Sequence, residues 1–153
     1  VDYTVNPAVG IPFLTGPPEG HGPVNHVLPA WDLLTGQMAA TGLLAAERHR
    51  RRTGEGQHIK LALEDVALAT LGNLGFIAEA QQGRVRERIG NSLYGAFGGD
   101  FQCQDARVMI VALTLKQWTA LCAALELDAA VADLERDTGL DLSLEGNRFR
   151  ARE

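Results

Sequence analysis

The stretch "PAWDLLTGQMAATGLLAAERHRRRTGEGQHIKLALEDVAL", residues 29–68, decides the fold. From about Ala30 to Arg52 the pattern is helical: Leu34, Met38, Leu44 and Ala45 recur among small residues, and no charge falls between Asp32 and Glu47. A helix apolar on nearly all sides is a buried one. Gly36 and Gly42 would cost such a helix about 1 kcal/mol each relative to alanine, so they are expected to admit another backbone at close range. The run "RHRRR" falls at the C-terminal end, where cations complement the helix dipole. "TGEGQ" then turns the chain. "QHIKLAL" alternates, Ile59, Leu61 and Leu63 against His58 and Lys60, and reads as a strand. "EDVALATLGNLGFIAEAQQ" returns to a helical period, so helix, strand and helix follow one another within the first 82 residues.

On the N-terminal side, all six prolines lie within the first 29 residues, and the segment is expected to be extended or looped. On the C-terminal side, "GRVRERIGNSLYG" is a polar, glycine-bearing break, and a domain boundary placed there divides the chain into 1–82 and 83–153. Beyond it "DFQC" and "RVMIVAL" form a hairpin pattern with a turn around Asp105 and Ala106. "TLKQWTALCAALEL" begins with a capping box, Thr114 and Gln117, and carries a stripe of Leu115, Trp118, Cys122 and Leu125. The class is therefore α/β or α+β. The chain starts without methionine and ends on "GNRFRARE" with no capping glycine after it, which reads as an excised piece.

The 153 residues are 46% hydrophobic and 22% charged, enough for one domain with a core or for part of a larger one. A net charge of −5 argues against nucleic acid as a partner. Cys103 and Cys122 are far apart, form no CxxC and require no disulfide, so a reducing compartment is the default. There is no apolar run long enough to span a membrane and no signal-peptide pattern. The expectation is a cytoplasmic protein with no membrane partner.

Several chemistries lack their motifs. "GNSLY" is the nearest approach to a GxSxG nucleophile elbow and lacks its second glycine. The four histidines form no HExxH, and neither GxGxxG nor GxxxxGK[ST] is present, so no metal site is expected. Asp32 remains. It suits a helix N-cap, because an aspartate side chain accepts a backbone N–H there. It also suits a nucleophile: among Leu28, Trp31 and Leu33 its carboxylate would be partly desolvated while the helix dipole favoured its anion. His26, six residues earlier, could line the same pocket or be bonded within its loop. Asp65 reads as a cap of the following helix, Trp118 as core, and "RHRRR" as a solvated helix end or a contact for phosphates.

The run from Pro29 to Leu68 resembles the central signature of the family III (formyl-CoA type, CaiB/BaiF) CoA-transferases. The features are an aspartate before a glycine-containing apolar helix, a basic end, "TGxGQ", a strand and "xxDxAL". The similarity continues through "GNSLYGAF" to "KQWTALCAAL". "VDYTVNPAVGIPFLTGP", "VNHVLPAWD" and "LLAAERHRR" look closest to members that move CoA between the two carboxylates of 2-methylfumarate (mesaconate).

The resemblance implies the family III fold, with part of a large Rossmann-like domain, a linker and most of a small α+β domain. It places the family's catalytic aspartate on Asp32. CoA would pass through an aspartyl-CoA thioester, within one diacid or between two acids, with acyl-CoA and a carboxylate as substrates and no cofactor beyond CoA itself. "GNSLYG", with Gly90, Asn91, Tyr94 and Gly95, is similar to the glycine loop that covers the family's site, although it also suits a flexible linker. Racemases of the family use a histidine and a glutamate, and those positions fall at Val1 and near Leu115, which cannot move protons. The complete protein would be an interlocked homodimer. This piece alone would be poorly active, with apolar surface exposed, or would serve only as a binding or assembly module.

Overall fold

Trp31, the second residue of the long helix, is the anchor of the first half of the chain. The computed structural model describes residues 1–152, so Glu153, the last residue of the expected second domain, lies outside them. The chain divides into two compact units, Val1–Arg88 and Ile89–Glu153.

The first unit is all helix: α1 (Asp2–Ala8), α2 (Ile11–Leu14), α3 (Ala30–Thr53), α4 (Leu63–Asn73) and α5 (Phe76–Gln81). Trp31, Ala67 and Leu71 form its core, with Val5, Val9, Ile11, Leu63 and Phe76 packed around them. The proline-rich opening is therefore not wholly extended or looped as expected. Pro7 lies inside α1 and withholds the N–H that would reach Tyr3 O, a loss that the packing of α1 on α3 outweighs, and Pro12 sits in the first turn of α2, where its missing N–H would have been unpaired anyway. Only Pro17, Pro18, Pro23 and Pro29 lie outside helices.

Helix α3 spans the expected residues and ends on Gly54, whose N–H reaches Arg50 O at 2.8 Å. Its burial departs from expectation. Trp31 is buried, but Leu33, Leu34, Met38, Leu43 and Leu44 are exposed. The apolar residues run around the helix, whereas α1 and α4 cover one side of it. The exposed apolar surface anticipated for a piece of a larger fold is present. Gly36 has nothing near its missing side chain, and Gly42 faces the side chain of Ile59, so neither admits another backbone here.

Residues 57–62 form no strand. A strand is stabilised by a paired neighbour, and this unit contains none, so the alternating pattern lays Ile59 against Gly42. The expected long helix over 64–82 is two, because Gly75 takes a left-handed conformation (φ 85°) that ends one and starts the other. Arg86 then stacks on the Phe76 ring at 3.9 Å and pairs with Glu79 through two bonds of 2.8 and 2.9 Å. Arg88 donates to the carbonyls of Pro12, Phe13, Gly20 and Gly22, clamping the turn-rich loop.

The second unit begins with the hairpin of β1 (Phe97–Gln102) and β2 (Arg107–Ala112), antiparallel from Phe97↔Ala112 to Gln102↔Arg107, with the expected turn between them. Helix α6 (Leu115–Ala124) carries the full capping box: Thr114 Oγ1 accepts from Gln117 N–H, and Gln117 Oε1 accepts from Thr114 N–H. Of its stripe, Cys122 is buried and Trp118 packs against Phe97 at 5.1 Å, but Leu115 and Leu125 stay exposed. Two further helices, α7 (Asp128–Thr138) and α8 (Glu145–Arg150), complete the unit.

Arg148 on α8 is buried, and no carboxylate among the described residues pairs with it. Its guanidinium donates to Leu113, Leu142 and Ser143 carbonyls at 2.9 Å each and lies over the Trp118 ring at 5.6 Å. Replacing Arg148 with alanine leaves three carbonyls short of a donor and should destabilise this unit by about 3 kcal/mol. Chemical denaturation of the complete protein with and without the substitution measures it.

Candidate active site

Asp32 stands in the first turn of α3, three residues after the capping residue Pro29. It is exposed, and so are Leu28 and Leu33, so the partly desolvated setting expected for it is absent from this chain. Only Trp31 of that trio is buried, because its side chain points to the core while its neighbours point away. Asp32 is not the cap of its helix either.

The cap comes from another helix. Asp2, at the start of α1 and 1% exposed, accepts the Trp31 N–H at 2.7 Å and the Asp32 N–H at 3.3 Å on one carboxylate oxygen, Oδ2. One turn along α1, Asn6 accepts the Trp31 indole N–H at 3.1 Å and donates to Asn25 at 2.7 Å. Both residues face α3 because they are four apart on one helix face. The carboxylate that meets the helix dipole is therefore a buried one supplied by α1.

His26 belongs to this cluster. Its ring meets Trp31 edge-on at 6.4 Å, and its Nε2 lies 3.6 Å from Asp2 Oδ1. The structure thus joins His26 to the helix start that carries Asp32. Asp2 and Asn6 were missed in the sequence; the signal available was a pair of small polar residues at i and i+4 in a segment whose prolines masked a helix. Asp65 is exposed in the first turn of α4 and is not its cap, a place taken by Ala62.

Gly90, Asn91, Tyr94 and Gly95 fall in the second unit. Gly90 and Gly95 have φ of 57° and 81°, left-handed values that glycine adopts without strain. The Asn91 side chain acts on the carboxyl of Asp100 on β1, and Tyr94 tilts against Phe149 at 5.2 Å. Arg107 also pairs with Asp100; together Arg107 and Asn91 hold its carboxyl below the usual range. Burial raises the Cys122 thiol, with Asp128 adding to the effect, while Cys103 is exposed. The basic run is mostly engaged at the helix surface: Arg50 and Arg51 both pair with Glu47.

The profile of CoA-transferase family III matches residues 1–145. The chain is 59% identical over 154 residues to 2-methylfumaryl-CoA isomerase of Chloroflexus aurantiacus, covering 99% of this chain and 38% of that protein. It is 36% identical over 126 residues to succinyl-CoA:mesaconate CoA-transferase of Haloarcula hispanica, covering 81% of this chain and 31% of that one. A solved CaiB/BaiF family protein from Brucella suis superimposes with a TM-score of 0.66 at 25% identity, over 99% of this chain and 38% of that one. The chain spans well under half the length of these relatives.

Because folding lowers the Asp100 pKa, the charged carboxyl contributes stability above the unfolded value, and that contribution is lost as pH falls through the folded value. Asn91→Ala should move the Asp100 midpoint upward toward its ordinary value in an NMR titration. In the same protein, thiol labelling should modify Cys103 readily and leave Cys122 unmodified until denaturant is added.

Proposed function

The chain belongs to CoA-transferase family III, and on that premise we propose that the complete protein moves coenzyme A from one carboxylate of 2-methylfumarate to the other. The single observation that carries this reading is the 59% identity to 2-methylfumaryl-CoA isomerase along 99% of the chain.

Asp32 is the proposed nucleophile. Its carboxylate attacks the thioester carbonyl of 2-methylfumaryl-CoA and expels CoA thiolate, leaving a mixed anhydride between Asp32 and the diacid. The thiolate attacks the aspartyl carbonyl, which forms the aspartyl-CoA thioester and frees the first carboxylate of the diacid. The diacid stays bound. Its second carboxylate attacks the aspartyl thioester and again expels thiolate, and the thiolate then attacks the carbonyl of that second carboxyl group. The isomeric CoA ester leaves and Asp32 is restored. Every bond broken is regenerated elsewhere, so the cycle consumes no co-reactant, and CoA enters only as part of the substrate.

Each acyl transfer builds negative charge on a carbonyl oxygen, which needs hydrogen-bond donors nearby. The loop of Gly90, Asn91, Tyr94 and Gly95 is the proposed cover that supplies or places them, by its similarity to the family's glycine loop. His26 takes part as a support of the helix start, consistent with its place beside Trp31 and Asp2. The complete protein is proposed to be a cytoplasmic interlocked homodimer. No described helix is long and apolar enough to cross a membrane.

The similarity to succinyl-CoA:mesaconate CoA-transferase favours a second reading, transfer between two separate acids. Supplying the complete protein with 2-methylfumaryl-CoA and labelled free mesaconate separates the two. Isomerised product without label is the expected result; label in the CoA ester means intermolecular transfer, and no turnover rejects both. Asp32→Asn should abolish turnover while shifting stability by less than about 0.5 kcal/mol, because the exposed side chain does not cap its helix. Normal turnover by that variant would leave this region a binding or assembly module.

A further inference from the structure

The first turn of α3 leaves its own aspartate nothing to bond. A helix start carries four N–H groups without intrahelical partners, at the capping residue and the three that follow. Here the capping residue is Pro29, which has no N–H. Ala30 N–H donates to Leu28 O at 2.8 Å, and the N–H groups of Trp31 and Asp32 are taken by Asp2 Oδ2. Leu33 N–H makes the first intrahelical bond, to Pro29 O at 3.0 Å. The set is complete, and no member of it uses the Asp32 side chain.

That is unusual for an acidic residue at the third position. In a capping box such a side chain folds back to accept the N–H of the capping residue. A carboxylate held that way would have a lone pair engaged and its rotamer turned toward the backbone. Proline at 29 removes the donor it would reach. Asp2 removes the other two, from a site fixed by burial, by His26 beside its second oxygen and by the Asn6 grip on Trp31.

We propose that Asp2 and Pro29 are positioning residues for the reaction. Asp2 occupies the free donors of the helix start and Pro29 withholds the remaining one, so that the Asp32 carboxylate is presented outward with no internal hydrogen bond to break. The inference rests on the reading of Asp32 as nucleophile. It assigns a catalytic consequence to two residues that do not touch the reacting atoms.

The experiment uses the complete enzyme with Pro29→Ala, Asp2→Ala, Asp2→Asn and, as reference, Asp32→Asn. Each is measured for kcat, KM for 2-methylfumaryl-CoA, Tm and the fraction of Asp32 trapped as thioester, by borohydride reduction and mass spectrometry. Pro29→Ala restores a backbone donor within reach of Asp32; it should leave Tm unchanged or higher and yet lower kcat about tenfold, with KM within about twofold. Asp2→Ala should lower kcat per folded enzyme to a similar extent, and Asp2→Asn should recover most of it, because asparagine accepts the helix donors about as well.

Wild-type kcat in both Pro29→Ala and Asp2→Ala, alongside an inactive Asp32→Asn, would overturn the inference and leave the nucleophile standing. Normal turnover by Asp32→Asn would overturn the nucleophile, and the inference with it. If Asp2→Ala does not fold, Pro29→Ala decides alone, since it leaves the Asp2 cap in place.

Discussion

One carboxylate oxygen of Asp2, bonded to two backbone N–H groups of α3, is the interaction on which the first half of the molecule depends. Helix α1 is seven residues long and ends on a proline-containing turn, too short to persist without tertiary contacts. It exists because its polar face meets the start of α3 and its apolar residues Val5 and Val9 pack beside Trp31. The dependence is mutual. Trp31 is buried only because Asn6 satisfies its indole N–H; an unpartnered polar group at that depth would cost about 1–3 kcal/mol. Polar and apolar anchoring thus act on the same residue from the same helix.

Where local signals agreed with one another, the fold was legible in the residues. The capping box of Thr114 and Gln117, the hairpin with its turn near Asp105 and Ala106, and the span of α3 were all readable from short-range chemistry. Where a local signal was overruled by its surroundings, the reading failed. Alternation over 57–63 is a strand pattern, but a strand needs a neighbour and finds none in its unit. Proline density suggested a loop, yet Pro12 sits in a first turn, where a helix tolerates it, and Pro7 lies inside a short helix held by its packing on α3. Helices α7 and α8 went unread, although α7 is clearly amphipathic and Gly139 marks its end.

The candidate site shows the same division. Asp32 could be singled out as a carboxylate in an apolar run, but both of its local readings, cap and desolvated group, fail in this chain. What sets its environment is Asp2, thirty residues away in sequence, and no spacing rule connects the two. Asn91 is comparable: a glycine-loop motif drew attention to it, and its effect on the Asp100 carboxyl emerges only once β1 is in place. Family resemblance locates such residues; tertiary contacts define what they are bonded to.

Arginine side chains fasten both units by gripping backbone carbonyls, and Arg88 does so across the greatest distance along the chain. It bonds Phe13 O, 75 residues earlier, and so joins the last residue of the first unit to one of its first turns. Closing a loop of that size is entropically expensive and slow compared with forming any single helix. During synthesis the loop around Pro17 and Gly22 must therefore wait unclamped until residue 88 has left the ribosome. Helices α3 and α4 can pair before then. That turn-rich loop is therefore the part of the first unit whose final setting is deferred, whereas Asp2 can take the α3 donors as soon as that helix has formed.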